Sequence, residues 1–112
     1  MKLVICGDLV ATPMSVKAFE NVDLEAAFAD TPSIWEKADR VLVNLECALT
    51  ASENAIPKFG PNLKSPVSTA DTLKKAGFTD CMLSNNHIFD FGKDGMADTF
   101  AALDRCGLGY TG

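Results

Sequence analysis

Three short apolar runs, each ending in side chains able to hold a metal ion or a phosphate, constrain this chain more than any other feature. Leu3-Val4-Ile5-Cys6 runs into Gly7-Asp8, and Val41-Leu42-Val43 runs into Asn44-Leu45-Glu46. The run 78–83 passes through Ser84 into Asn85-Asn86-His87, which carries the only histidine of the chain. Apolar runs of this length bounded by turn residues read as buried strands. Helical segments between them imply right-handed βαβ units and a mostly parallel sheet, an α/β fold. A parallel sheet brings the carboxyl ends of its strands to one edge, where open α/β folds bind their ligands. Asp8, Asn44, Glu46, Asn85, Asn86 and His87 are therefore expected to converge. Each element alone has a plainer reading. Asn-Asn is ordinary turn chemistry, because Asn tolerates left-handed backbone and bonds its own main chain. Gly-Asp is common loop composition, and Glu46 alone would be a solvated loop residue. The weight lies in the repetition, since turn composition does not readily produce ligand-type side chains at three strand ends.

The connections follow from local signals. Thr31-Pro32 reads as an N-cap with proline at the first helical position, opening a short helix over 31–37. Residues 50–66 are rich in Pro, Gly, Asn, Ser and Lys and predict a loop long enough to be functional. Ser68 and Asp71 resemble a capping box before a helix carrying Ala70, Leu73 and Ala76, with Gly77 as its stop. A last helix is predicted over 95–106, with Met96, Phe100 and Leu103 on one face as core. Only 107–112 follow it, which predicts a crossover helix without a destination strand. The expectation is a single domain over 1–112 that is C-terminally truncated, or that covers its unpaired sheet edge by self-association.

With 112 residues, a chain folding alone buries roughly 65% of its unfolded surface. The net charge of −5 argues against a nucleic-acid partner, which would need a clustered basic face. It also offers no attraction to an anionic substrate, so metal ions would have to supply positive charge. Cys6, Cys47, Cys81 and Cys106 form no Cys-x-x-Cys pair and read as buried free thiols, which implies a reducing compartment. No apolar stretch approaches the roughly 20 residues of a membrane span. The first strand begins at Lys2 or Leu3 and leaves no room for a signal peptide. As it stands, the chain is expected to be cytoplasmic. Asp90-Phe91-Gly92 spells a kinase signature, but no glycine-rich loop, lysine strand or catalytic loop accompanies it. Gly107-Leu108-Gly109 ends a helix and so is not a dinucleotide loop.

Gly7-Asp8, Ala38-Asp39 leading into Val43-Asn44-Leu45-Glu46, and Asn85-Asn86-His87-x-x-Asp90-x-Gly92 resemble the successive N-terminal motifs of the CapA family. Those proteins serve poly-gamma-glutamate capsule biosynthesis on a calcineurin-like metallophosphoesterase fold, an αββα sandwich. Asp98-Thr99, Leu103-Asp104, Gly107 and Tyr110-Thr111-Gly112 continue the likeness, which covers the N-terminal part of the family domain.

The resemblance implies that Asp8 stands at the first metal-binding aspartate and that Glu46 replaces the usual bridging aspartate of the second strand. It implies that Asn86 ligates through its amide oxygen and that His87 faces the scissile bond. Asn44, Asn85 and Asp90 would support them, with Asp90 a partner for His87. Oxygen donors suit Mn or Mg, and added imidazoles admit Zn or Fe. The implied substrate is an anionic polymer or a phosphoester, and family members are often at the cell envelope. This sequence departs from the metallophosphoesterase pattern at Val10, where a histidine is usual, and has no second histidine. Asp8, Glu46 and Asn86 are fewer ligands than a two-metal centre needs. Two functions are thus expected to compete. One is metal-dependent hydrolase chemistry in the completed domain. The other is a non-catalytic polymer-binding or capsule-assembly module with an incomplete site.

Overall fold

The computed structural model describes residues 1–112. Its main sheet is built from β1 (Leu3–Leu9), β2 (Arg40–Leu45), β5 (Asp80–Met82) and β6 (Gly109–Thr111), in the order β1-β2-β5-β6. Every neighbouring pair is parallel, as the alternation of strand and helix requires. A second, two-stranded parallel sheet pairs β3 (Ala48–Leu49) with β4 (Lys64–Ser65). The α-helices are α1 (Val16–Glu20), α2 (Leu24–Phe28), α3 (Thr69–Lys75) and α4 (Gly92–Cys106).

Alternation along the strands decides the layering. Val41, Val43, Leu45, Cys81 and Leu83 are buried together with Leu73, Ala76, Ala102 and Leu103 of α3 and α4. Val4 and Cys6 of β1 pack at the margin of the same core. Residues of opposite parity point to the other face, where Leu3 and Ile5 remain 51% and 65% exposed. The core closes at one end through a run of rings. Phe19 of α1 meets Phe28 of α2 edge-on at 5.9 Å, Phe28 meets Phe78 at 5.6 Å, and Phe78 meets Trp35 at 5.1 Å. The Trp35 indole N–H donates to the Ala76 carbonyl at 2.8 Å, which satisfies the one polar atom this cluster buries.

Several local expectations need correction. The segment after α4 does form a strand. Gly107 takes the left-handed φ of 68°, Leu108 is buried, and three residues suffice for β6 to pair with β5. The helix expected over 31–37 is a single 3-10 turn, Thr31–Ile34, whose Thr31 hydroxyl donates back to the Phe28 carbonyl. Ser68 precedes α3 but does not cap it, because its hydroxyl donates to the Phe19 carbonyl at 2.7 Å and ties α1 to α3. Asp71 of the expected capping box instead takes a two-bond ion pair from Arg105 of α4. The segment 16–28 holds α1 and α2, neither of them expected from the sequence, and the expected loop 50–66 contains β4. The last helix begins three residues earlier than expected, at Gly92, and the strand of run 78–83 is limited to Asp80–Met82.

Candidate active site

A register shift in β1 aims the first candidate residue. Leu3, Val4 and Ile5 pair with Arg40, Val41 and Leu42, but Asp8 pairs with Asn44, so β1 holds one extra residue between Ile5 and Asp8. Without that bulge Asp8 would lie opposite Leu45, on the core side of the sheet. With it, Asp8 shares a face with Asn44, and the Asn44 amide donates to the Asp8 carboxylate at 2.7 Å. The Asn85 amide donates in turn to the Asn44 side-chain oxygen at 3.1 Å and to the Leu45 carbonyl at 2.8 Å. The ends of β1, β2 and β5 are thereby joined by side-chain bonds running Asn85 to Asn44 to Asp8.

The turn after β5 is built on Asn85. Its side-chain oxygen accepts from the backbone N–H groups of His87 and Ile88, both at 3.0 Å, an Asx turn that holds His87 beside the strand end. Gly92 closes the turn with a φ of 64°, a conformation that favours glycine, and opens α4. Inside the turn the His87 ring Nδ1 lies 2.7 Å from Asp90 Oδ2. Asp90 is 1% exposed at its side chain and His87 12%. The Lys58 ammonium donates to Asp90 Oδ1 at 2.6 Å and the Leu63 backbone N–H donates to Oδ2 at 2.7 Å. Burial alone would raise the Asp90 carboxyl. The bonds from Lys58, Leu63 and His87 outweigh it and hold the group below its ordinary value of 3.8. An ionised carboxylate only accepts hydrogen bonds, so the proton in the His87–Asp90 bond resides on Nδ1. Nε2 is then the nitrogen left to take up or give a proton.

The remaining candidates are less engaged. Glu46 is half-buried and Asn86 exposed, and neither side chain forms a hydrogen bond within the chain, although the Asn86 carbonyl accepts from Lys58 at 3.3 Å. The charges of Glu46 and Asp90 both bear on Cys47. Burial raises that thiol most, a bond with Ser65 opposes the rise, the two carboxylates add to it, and the thiol is pushed up to about 12. All four cysteines are free, as expected, but only Cys47 and Cys81 are buried, Cys6 and Cys106 being half-buried. The largest surface groove, about 570 Å³, is bordered by Val16, Glu20, Thr50 and Lys64 and includes none of Asp8, Asn86 or His87.

Residues 2–112 match the family model described as "Bacterial capsule synthesis protein PGA_cap". The chain belongs to this capsule synthesis family. It is 39% identical over 51 residues to "Capsule biosynthesis protein CapA" of Bacillus anthracis, covering 46% of this chain and 12% of that protein. It is 34% identical over 74 residues to a "Probable polyglutamine synthesis accessory protein" of Mycobacterium tuberculosis, covering 66% of this chain and 20% of that protein. It is 28% identical over 111 residues to "PGA biosynthesis protein CapA" of Bacillus subtilis, covering 94% of this chain and 29% of that protein. The chain thus spans less than a third of the length of these capsule synthesis relatives, and the expected CapA membership is borne out.

Within this capsule synthesis fold, the donor chemistry and the number of donors pull in different directions. Asp8 Oδ2, the Glu46 carboxylate and the Asn86 side-chain oxygen are uncommitted acceptors, the hard oxygens that Mn or Mg prefers. No three His, Cys, Asp or Glu side chains gather closely enough to hold a metal ion. Sequence reasoning missed Lys58, Asn62 and Leu63, which reach the turn from the β3–β4 connection. The Asn62 amide donates to the carbonyls of Ile56 and Asp90, both at 3.0 Å. The available signal was a lysine and an asparagine in a loop too long to be a mere connector. No helix is long and apolar enough to cross a membrane.

Proposed function

We propose that this chain carries the His87 side of a metal-dependent hydrolase site acting on an anionic polymer or a phosphoester during capsule synthesis of the poly-gamma-glutamate type. The observation that carries the reading is the buried Asp90 holding His87 Nδ1 at 2.7 Å beside strand ends that present uncommitted oxygens. A buried carboxylate that orients an imidazole is the arrangement general acid–base catalysis uses. His87 Nε2 would protonate the leaving group or stabilise its charge.

In this reading Asp8, Glu46 and Asn86 contribute oxygens to a divalent ion, with Mn or Mg suited to them and Zn or Fe admitted by added imidazoles. The ion, when bound, would polarise the reacting centre and activate water. Three donors are fewer than a two-metal centre uses, so the reading requires further ligands from outside these residues. The metallophosphoesterase-like αββα arrangement belongs to the same proposal. The names of the CapA and polyglutamine synthesis relatives support the polymer class.

The reading is tested by substitution in a catalytically competent intact protein. His87→Ala should lower turnover by about 10²–10⁴-fold with metal content nearly unchanged. Asn86→Ala should reduce metal occupancy, measured by elemental analysis. Loss of metal on His87→Ala with retention on Asn86→Ala would reverse the two roles. In the 112-residue chain itself, calorimetric titration with Mn should show weak binding, lowered further by Glu46→Gln. Identical polymer retention by the parent and every site variant, with no turnover in any of them, would favour the polymer-binding or capsule-assembly reading.

A further inference from the structure

The sequence around His87 contains no cation within the turn itself, yet the buried carboxylate that orients it is matched by one from a distant segment. Lys58 lies in the connection between β3 and β4 and reaches over 28 positions to the Asn86 carbonyl at 3.3 Å and 32 positions to Asp90 Oδ1 at 2.6 Å. Its ammonium therefore bridges the residue before His87 and the carboxylate after it. The lysine is 19% exposed at its side chain, so the bridge is largely shielded from water. Leu63 N–H and Asn62 bind the same aspartate from the same connection, at its Oδ2 and its carbonyl.

We propose that Lys58 is a positioning residue for His87. It holds Asp90 Oδ1, leaves Oδ2 for the His87 Nδ1–H bond, and so keeps Nε2 as the free nitrogen. The physical argument concerns how many ways the carboxylate can satisfy itself. A buried carboxylate with both oxygens committed has one orientation, and the imidazole bonded to it takes one tautomer. Without Lys58, Oδ1 loses its donor, the carboxylate can turn about its bond to Cβ, and the Asn86 side of the turn loses its tie. The ring is then free to exchange to the Nε2–H form, which breaks the Nδ1–H bond to Asp90 that aims Nε2. An ammonium has three donors, and the two acceptors met here leave its geometry undistorted. The inference rests on the reading of His87 as the working residue of the site.

The chain's only histidine makes the test direct. Ring ¹⁵N shifts of His87, recorded with the ring neutral, should show the Nδ1–H tautomer nearly alone in the parent chain. Lys58→Met should reduce that tautomer to a minority, and Lys58→Arg, which keeps the charge and offers two donors, should restore most of it. A parental tautomer in Lys58→Met would overturn the proposal. Should Lys58→Met fail to fold, Lys58→Gln is read against the same two outcomes. In the unsubstituted chain the Lys58 ammonium protons should exchange slowly and couple to the Asp90 carboxyl carbon. A freely rotating ammonium would overturn the proposal with no variant involved. These measurements use neither metal nor substrate. An intact protein that binds no metal would sink the hydrolase reading and leave the tautomer result standing, and an unchanged tautomer in Lys58→Met would do the reverse.

Discussion

The two sides of the sheet edge are built on opposite principles. On the side of the 85–92 turn, the side chains of Asn85 and Asp90 are committed, and only the exposed Asn86 side-chain amide makes no bond. Asn85 makes bonds with four partners, Asp90 receives three at its carboxylate, and the aspartate is buried. On the side of β1, Asp8 is exposed and accepts one side-chain bond, and Glu46 makes none through its carboxylate. The first side spends its hydrogen bonds on holding one geometry, and the second keeps oxygens free. That division suits a site in which a protein group is positioned in advance while carboxylates wait for a ligand.

The largest effect that could break this contrast is on stability. Asp90→Ala removes the shared acceptor of Lys58, Leu63 and His87 and should cost about 3–5 kcal/mol, the range for breaking a buried charge pair from one side. Asp8→Ala should stay within about 0.5 kcal/mol, as surface substitutions do. Urea denaturation of both variants measures the difference, and equal costs would dissolve the distinction between the two sides. Asn85→Ala should come next, at about 1–3 kcal/mol, because it leaves buried backbone groups of the turn without partners. It should also broaden the His87 ring signals, since the backbone bonds holding that residue go with it.

Acid stability sharpens the comparison further. Asp90 sits below its ordinary value of 3.8 in the folded chain, so the stability it contributes is present above that value and lost as pH falls through its folded pKa. Asp71, lowered mainly by its bonds from Arg105, adds a smaller loss of the same sign. Acid unfolding followed by circular dichroism should therefore flatten in Asp90→Asn, relative to that variant's own neutral stability. An acid limb in Asp90→Asn as steep as the parent's would contradict the assignment of that limb to the turn.

A separate effect lies at high pH. Burial raises Cys47 and Cys81 to about 12 from an ordinary 9.0, so their contribution is full below 9.0 and declines as pH rises from there through 12. Alkylation under native conditions should label the half-buried Cys6 and Cys106 before Cys47 and Cys81. Early labelling of Cys47 would mean that the core beneath the edge opens more readily than the turn above it.

Much of the fold was legible because it rests on signals that short segments carry by themselves. The apolar runs at Leu3, Val41 and Phe78 marked three strands, and helix-bearing links between them implied parallel pairing, which the sheet displays. α4 was legible from its apolar positions and its glycine stop, apart from its first turn. α1 and α2 were not, since each is five residues long and is held by ring contacts and by bonds from Ser68 and Thr72 to the Phe19 carbonyl. Two-residue β4 and three-residue β6 carry too little pattern to be seen without their partners.

The candidate site divides the same way. His87, Asp90 and the paired asparagines stood out in the sequence because a single turn carries them, and local hydrogen bonding determines that turn's shape. The bulge that turns Asp8 toward Asn44 was decided by pairing with β2, and the reach of Lys58 to Asp90 was decided by the path of the β3–β4 connection. Both depend on contacts between residues some thirty positions apart or more. No local propensity encodes such a contact, because its free energy exists only once the chain has closed the loop between its ends.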